Sequence, residues 1–132
     1  MIVSVKGVRI FMMYARIYAD PAGQSHFDDI EVELMETDFA PPAPPLNFSS
    51  FGPALKYAFC SFPAGWRGDW HPTPGRQLFF FLSGEVAVQV GDGQVRHFGT
   101  GCVVLAEDTT GNGHVSWVVT KTDALAAVVE LP

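Results

Sequence analysis

Short runs of alternating apolar and polar residues, broken by glycine and proline, dominate this chain. A period of two is what a half-buried strand requires, because successive side chains point to opposite faces. The clearest case is a hairpin. Val86, Val88 and Val90 alternate with smaller or polar residues across positions 85–90, Gly91-Asp92-Gly93 supplies the turn, and positions 94–98 return. The preceding run, Gln77-Leu78-Phe79-Phe80-Phe81-Leu82, is apolar on both faces. One face is therefore expected to line a core and the other to meet a second sheet or a second subunit. Further strands are expected over 28–36, 55–63, 102–107, 113–120 and 124–131, with 8–18 as an additional edge strand. No segment carries a helical period. The prolines of Ala-Pro-Pro-Ala-Pro-Pro-Leu (40–46) bar it from a central strand, since proline lacks the ladder donor, and it reads as a stiff extended connection. This pattern predicts an all-β sandwich or barrel.

Composition then narrows the class. A chain of 132 residues, 48% hydrophobic and 17% charged, is expected to be one domain with a core of its own. Eight Lys and Arg against fourteen Asp and Glu give a net charge of −6 with no basic cluster, which argues against nucleic acid as a partner. No run approaches the roughly 20 apolar residues of a membrane helix. The apolar start is interrupted by Lys6, Gly7 and Arg9, unlike a secretory leader, so a cytoplasmic protein without membrane association is expected. Residues 1–13 read as an N-terminal extension or edge strand and 14–132 as the domain, Met12 and Met13 leaving the true start open. Cys60 and Cys102, both in strand-like runs, are expected to be buried thiols in a reducing compartment.

The candidate chemistry lies between Trp70 and His114. On strands, His71 would share a face with Thr73, Gln77 with Phe79 and Phe81, and His114 with Ser116. Closing the strands into a barrel would bring two imidazoles, an amide and a hydroxyl into one aromatic-lined cavity. An imidazole there serves equally as a metal ligand, as a general acid or base, or as a hydrogen-bonded structural group. The loop Pro63-Ala64-Gly65-Trp66-Arg67-Gly68-Asp69-Trp70 suits the mouth of such a cavity, with Trp70 at its entrance and Arg67 placed to clamp a carboxylate; ordinary edge packing explains it as well. His26, beside Asp28 and Asp29, reads as a turn residue, and His97 as a structural residue on the hairpin. Thr109-Thr110-Gly111-Asn112-Gly113 lacks the lysine and helix of a phosphate loop.

These spacings resemble the small single-domain cupins. The first motif of that family runs Gly, His-x-His, a short gap, Glu, six residues, then Gly. Gly65, His71, Thr73, Gln77 and Gly84 occupy those places, with Gly65-x5-His71 and Gln77-x6-Gly84 keeping the spacing. Phe98-Gly99-Thr100-Gly101 and His114 look like the second motif, with a longer loop before the histidine. Ala-Glu-Asp-Thr-Thr-Gly-Asn-Gly-His (106–114) is similar to a subgroup of bacterial cupins, as are Ser25-His26-Phe27 and Asp69-Trp70-His71. The resemblance covers the chain from about Tyr14 onward.

The resemblance implies a cupin-like jelly-roll β-barrel that binds a small organic molecule and, from the apolar run around Leu78, Phe80 and Leu82, a homodimer. It also implies a degenerate metal site. Of the family's three histidines and one glutamate, His71 and His114 remain, Thr73 is a poor ligand, and Gln77 offers a carbonyl oxygen without charge. One divalent ion (Fe, Mn, Ni or Zn), weakly held, is therefore the expected cofactor, with Glu107 or Asp108 available to supply charge if their loop folds over the mouth. Three functions stay open: a metal-dependent oxygenase, a metal-free isomerase or lyase in which a pocket histidine moves a proton while Gln77 steadies an oxyanion, and a non-catalytic sensing or carrier module. The expected pocket is His71, Gln77, Phe79, His114 and Ser116, with Thr73 beside His71 and Trp70 and Arg67 at the entrance.

Overall fold

The computed structural model describes residues 9–132 throughout and the backbone of residues 2–6. Eleven strands run in order: β1 (Ile2–Lys6), β2 (Arg9–Ala19), β3 (Ser25–Thr37), β4 (Leu46–Phe48), β5 (Lys56–Phe62), β6 (Gln77–Ser83), β7 (Val86–Gln89), β8 (Val95–Phe98), β9 (Val103–Glu107), β10 (Val115–Val118) and β11 (Ala124–Glu130). The larger sheet is ordered β4-β3-β2-β9-β6-β11-β5, with β1 paired to β2, and the smaller is β10-β7-β8. Every pairing is antiparallel except β2 with β9. No helix forms among the described residues, and none is long and apolar enough to cross a membrane.

One core joins the two sheets. Ile17, Phe27, Phe81, Val104 and Ala126 from the larger sheet meet Val86, Val88, Phe98 and Val118 from the smaller. The alternation read from the sequence produces this directly: Phe79 and Phe81 face inward, whereas Leu78 and Phe80 face out. Fully burying side chains of this size contributes about 1.5–3 kcal/mol each, enough to fix the register of every strand. The result is an all-β jelly roll whose two sheets close around an interior.

The structure differs from the sequence-based expectation in three places. The run at 8–18 is no edge strand, because β2 lies between β3 and β9 and pairs with β1 through residues 9–13. Residues 40–43 form a turn closed by Ala43 N–H donating to Ala40 O at 2.9 Å, so the proline run is bent instead of extended. Its last residue, Leu46, starts β4, whose ladder with β3 carries no proline donor and so escapes the restriction.

Candidate functional site

The segment between β5 and β6 zips along β10 and covers the open side of the smaller sheet. Val118 N–H donates to Trp66 O and Gly68 N–H to Ser116 O, each at 2.9 Å, and His71 and His114 exchange both backbone hydrogen bonds at 3.1 Å. His71 and His114 therefore form a directly opposed antiparallel pair. That pairing, more than any loop, brings the two rings together, their centroids 5.0 Å apart. Gly113 permits it: its φ is +69°, and a Cβ there would overlap the His71 carbonyl.

Each ring is anchored through Nδ1. In His71, Nδ1 donates to the Asp69 carbonyl at 2.8 Å. A carbonyl only accepts, so the proton sits on Nδ1 and the neutral ring offers Nε2 as a lone pair. In His114, Nδ1 faces Asp108 Oδ2 at 2.7 Å. The other carboxylate oxygen accepts from Thr73 Oγ1 at 2.7 Å, and Thr73 N–H donates to the Asp108 carbonyl at 3.0 Å. Asp108 is fully buried, and Thr73 nearly so. A buried carboxylate with both oxygens engaged fixes the imidazole's tautomer and orientation. The loop beneath is held by Ser25, whose hydroxyl donates to Gly113 O and accepts from Gly91 N–H, both at 2.7 Å.

The two rings close one end of a chamber of about 260 Å³. Its walls are Ile17, Phe62, Trp66, Phe79, Phe81 and neighbouring valines, with Ser116 and Cys60 as the remaining polar groups. Burial pushes the Cys60 thiol above its ordinary range. The Ser116 hydroxyl lines the chamber beside His114.

Of the residues expected at the site, His71, Phe79, His114 and Ser116 meet in this chamber. Gln77 shares the inward-facing side of β6 with Phe79 and Phe81, opposite Ala106 and Glu130, yet does not line the chamber. Thr73 lies behind His114, bonded to Asp108, and not beside His71 in the pocket. Trp70 is exposed and outside the lining. The Arg67 guanidinium stacks on Trp117 with its central carbon 4.7 Å from the ring centroid, and does not point inward. Neither acid caps the mouth: Asp108 sits beneath His114, and Glu107 is bound by Arg16 and by Arg76 at 2.8 Å. Partial burial works against ionising Glu107, but the hydrogen bonds from Arg76 and Arg16 outweigh it and hold its carboxyl low.

Sequence reasoning missed Phe62, Trp66 and Cys60 as wall residues and Asp108 as the partner of His114. Alternation within β5 put Cys60 and Phe62 on one face, but nothing local showed that this face was the inner one. His26 lies outside the chamber, its nitrogens 2.8 Å from Asp20 and 2.9 Å from Asp92. His97 faces Glu85 on the outside of the hairpin at 3.0 Å.

The cupin resemblance implies a metal, and the donor set limits how well one fits. Two imidazoles line the chamber, but among the described residues no three His, Cys, Asp or Glu side chains are grouped to hold an ion. Asp108, the nearest carboxylate, spends both oxygens on His114 and Thr73. Two neutral imidazoles without an anionic ligand hold a divalent ion weakly, so a firmly resident metal does not fit.

No protein-family model matches the chain, and no curated protein does. Similar solved structures include the cupin domain of Schizosaccharomyces pombe Cnp3, 11% identical with a TM-score of 0.49, over 92% of this chain and 84% of that one. A putative ethanolamine utilization protein Q of Salmonella typhimurium is 15% identical with a TM-score of 0.40, over 92% and 97%. Protein NMB1881 of Neisseria meningitidis is 14% identical with a TM-score of 0.42, over 58% and 72%. The similarity is one of backbone course. The chain's own strand order forms a jelly roll around an apolar chamber.

Proposed function

We propose that this protein binds one small organic molecule in the chamber and moves a proton on it without a metal, as an isomerase or lyase does. The supporting observation is that both imidazoles are hydrogen-bonded through Nδ1 and line the same apolar space. His114 takes a proton from the carbon beside a ligand carbonyl, and the imidazolium so formed is held by Asp108 behind it. The His114 imidazolium returns that proton at the neighbouring position, and the neutral His71 orients the ligand beside it. The Ser116 hydroxyl donates to the carbonyl oxygen as charge develops there, the role expected of Gln77. Positioned general acid–base groups of this kind contribute roughly 10²–10⁴ in rate.

The test is hydrogen–deuterium exchange beside the carbonyl of small ketones such as cyclohexanone and acetophenone, followed by proton NMR in D₂O. Wild type should exceed buffer, and His114→Ala and His71→Ala should abolish the excess. Wild type no faster than the doubly substituted protein would refute proton transfer, and binding without exchange would leave a sensing or carrier module. Stoichiometric metal in the purified protein, lost in both alanine variants, would restore the metal-dependent reading.

We also propose that the outer face of the larger sheet pairs two copies of the chain. Tyr57, Phe59, Phe80, Leu82 and Leu125 stay exposed there, and β5 ends the sheet beside them.

A further inference from the structure

We infer that the chamber selects an uncharged ligand of about one ring, with a single polar group directed at the imidazoles. The inference rests on the chamber being the ligand site, as proposed above, and adds which chemical class enters it.

Size follows from volume. An apolar protein cavity of about 150 Å³ accepts benzene. A chamber of about 260 Å³ therefore takes on the order of ten non-hydrogen atoms, scaling from that case. The walls are aromatic and aliphatic nearly throughout, and the polar groups are confined to His71, His114, Ser116 and Cys60. A ligand matching this distribution is apolar over most of its surface and polar at one end.

Charge follows from what surrounds that end. No Lys or Arg lines the chamber. Each described cation near it is already engaged elsewhere: Arg67 lies on Trp117, Arg16 and Arg76 grip Glu107, and Lys56 is 3.6 Å from Glu130. A carboxylate entering the chamber would give up part of its hydration to walls that carry no Lys or Arg, while facing aromatic rings whose faces are electron-rich. The buried negative charge of Asp108 adds to the opposition. An ammonium group fares no better at the polar end. Asp108 has both oxygens occupied, and the Nε2 lone pairs that would accept its protons would have to desolvate it without an opposite charge. A hydroxyl or carbonyl avoids both costs: a hydroxyl donates to Nε2, and a carbonyl accepts from Ser116.

The experiment compares three probes with the same ring at pH 7.5: benzyl alcohol, benzoate and benzylammonium. Affinity is read by titration while the imidazole C–H signals of His71 and His114 are followed by NMR. Benzyl alcohol should shift both signals and bind at least about tenfold more tightly than either ion. Comparable or tighter binding of benzoate or benzylammonium would overturn the inference. So would failure of benzyl alcohol to shift the two signals. Neither failure bears on ketone exchange, which reports proton transfer on its own.

Discussion

Replacing Asp108 separates the shape of the site from its charge. Asp108→Ala removes the acceptor from His114 Nδ1 and from the Thr73 hydroxyl, two groups buried or nearly so. Leaving a buried donor unpaired costs about 1–3 kcal/mol, so two should cost roughly 2–5 kcal/mol where water refills part of the gap. Unfolding entropy of about 2.1 cal/mol/K per residue makes 1 kcal/mol worth about 3–4 °C in a chain of this length. The expected fall in Tm is therefore about 7–18 °C. Asp108→Asn keeps the shape. Its amide oxygen can accept from Nδ1 while its NH₂ donates to Thr73 Oγ1, since a hydroxyl accepts as readily as it donates. Its Tm should fall by no more than about 5 °C, the loss expected when a charged hydrogen bond becomes a neutral one. Ketone exchange should nevertheless fall by about 10²–10⁴, because no carboxylate stabilises the imidazolium. Thermal melts and exchange rates on the same preparations read both effects. Full exchange activity in Asp108→Asn would refute the role given to the buried carboxylate, and an unchanged melt in Asp108→Ala would refute the hydrogen bonding around it.

Three further outcomes are expected. His26 is raised above its ordinary value, first by its hydrogen bond to Asp20 and then by that to Asp92. The folded state thus holds its proton more tightly than the unfolded chain, so the contribution is complete below the unfolded value of about 6.5 and fades as pH rises through the folded value. Asp20 and Asp92 are lowered, Asp20 mainly by the bond from His26 and Asp92 mainly by the Gln94 amide, so their share is lost as pH falls below about 4. The Tm difference between wild type and His26→Ala should therefore be largest near pH 5–6 and shrink toward pH 9; a difference independent of pH would contradict the pairing. Gly113→Ala forces a Cβ against the His71 carbonyl at a positive φ and should cost at least about 2 kcal/mol, parting the two rings; an unchanged melt would refute that contact. On the outer face, Phe80→Asp with Phe59→Lys should convert a particle of twice the chain mass to one of the chain mass in light scattering, and a wild-type protein already at the chain mass would refute the pairing.

The strands were legible because their information is local. Alternation in Val86-Ala87-Val88 and the glycines around Asp92 specify a hairpin without reference to anything else in the chain, and the hairpin forms there with Val86 opposite Phe98. The histidines at 71 and 114 were legible as a pair through motif spacing. Their contact was not, since it arises from a backbone bridge between an irregular segment and the start of β10. Gln77 shows the limit most clearly. Its face could be read from Phe79 and Phe81, but its height on β6 relative to the chamber depends on the register with β9 and β11. Thr73 was misplaced for a related reason: prolines on both sides break the alternation, so its side chain turns to Asp108 instead of following His71.

By itself, then, the sequence determined the all-β class, the strands, the inward faces of β6 and β7, and the two imidazoles, all of which follow from periodicity and from spacing along the chain. Only the tertiary structure decided that Asp108 stands behind His114, that Trp66, Phe62 and Cys60 complete the walls, and that Arg67 and Trp70 stay outside. The physical reason is that a strand's period states which residues share a face, whereas the relative height of two strands is set by the packing of all their neighbours at once.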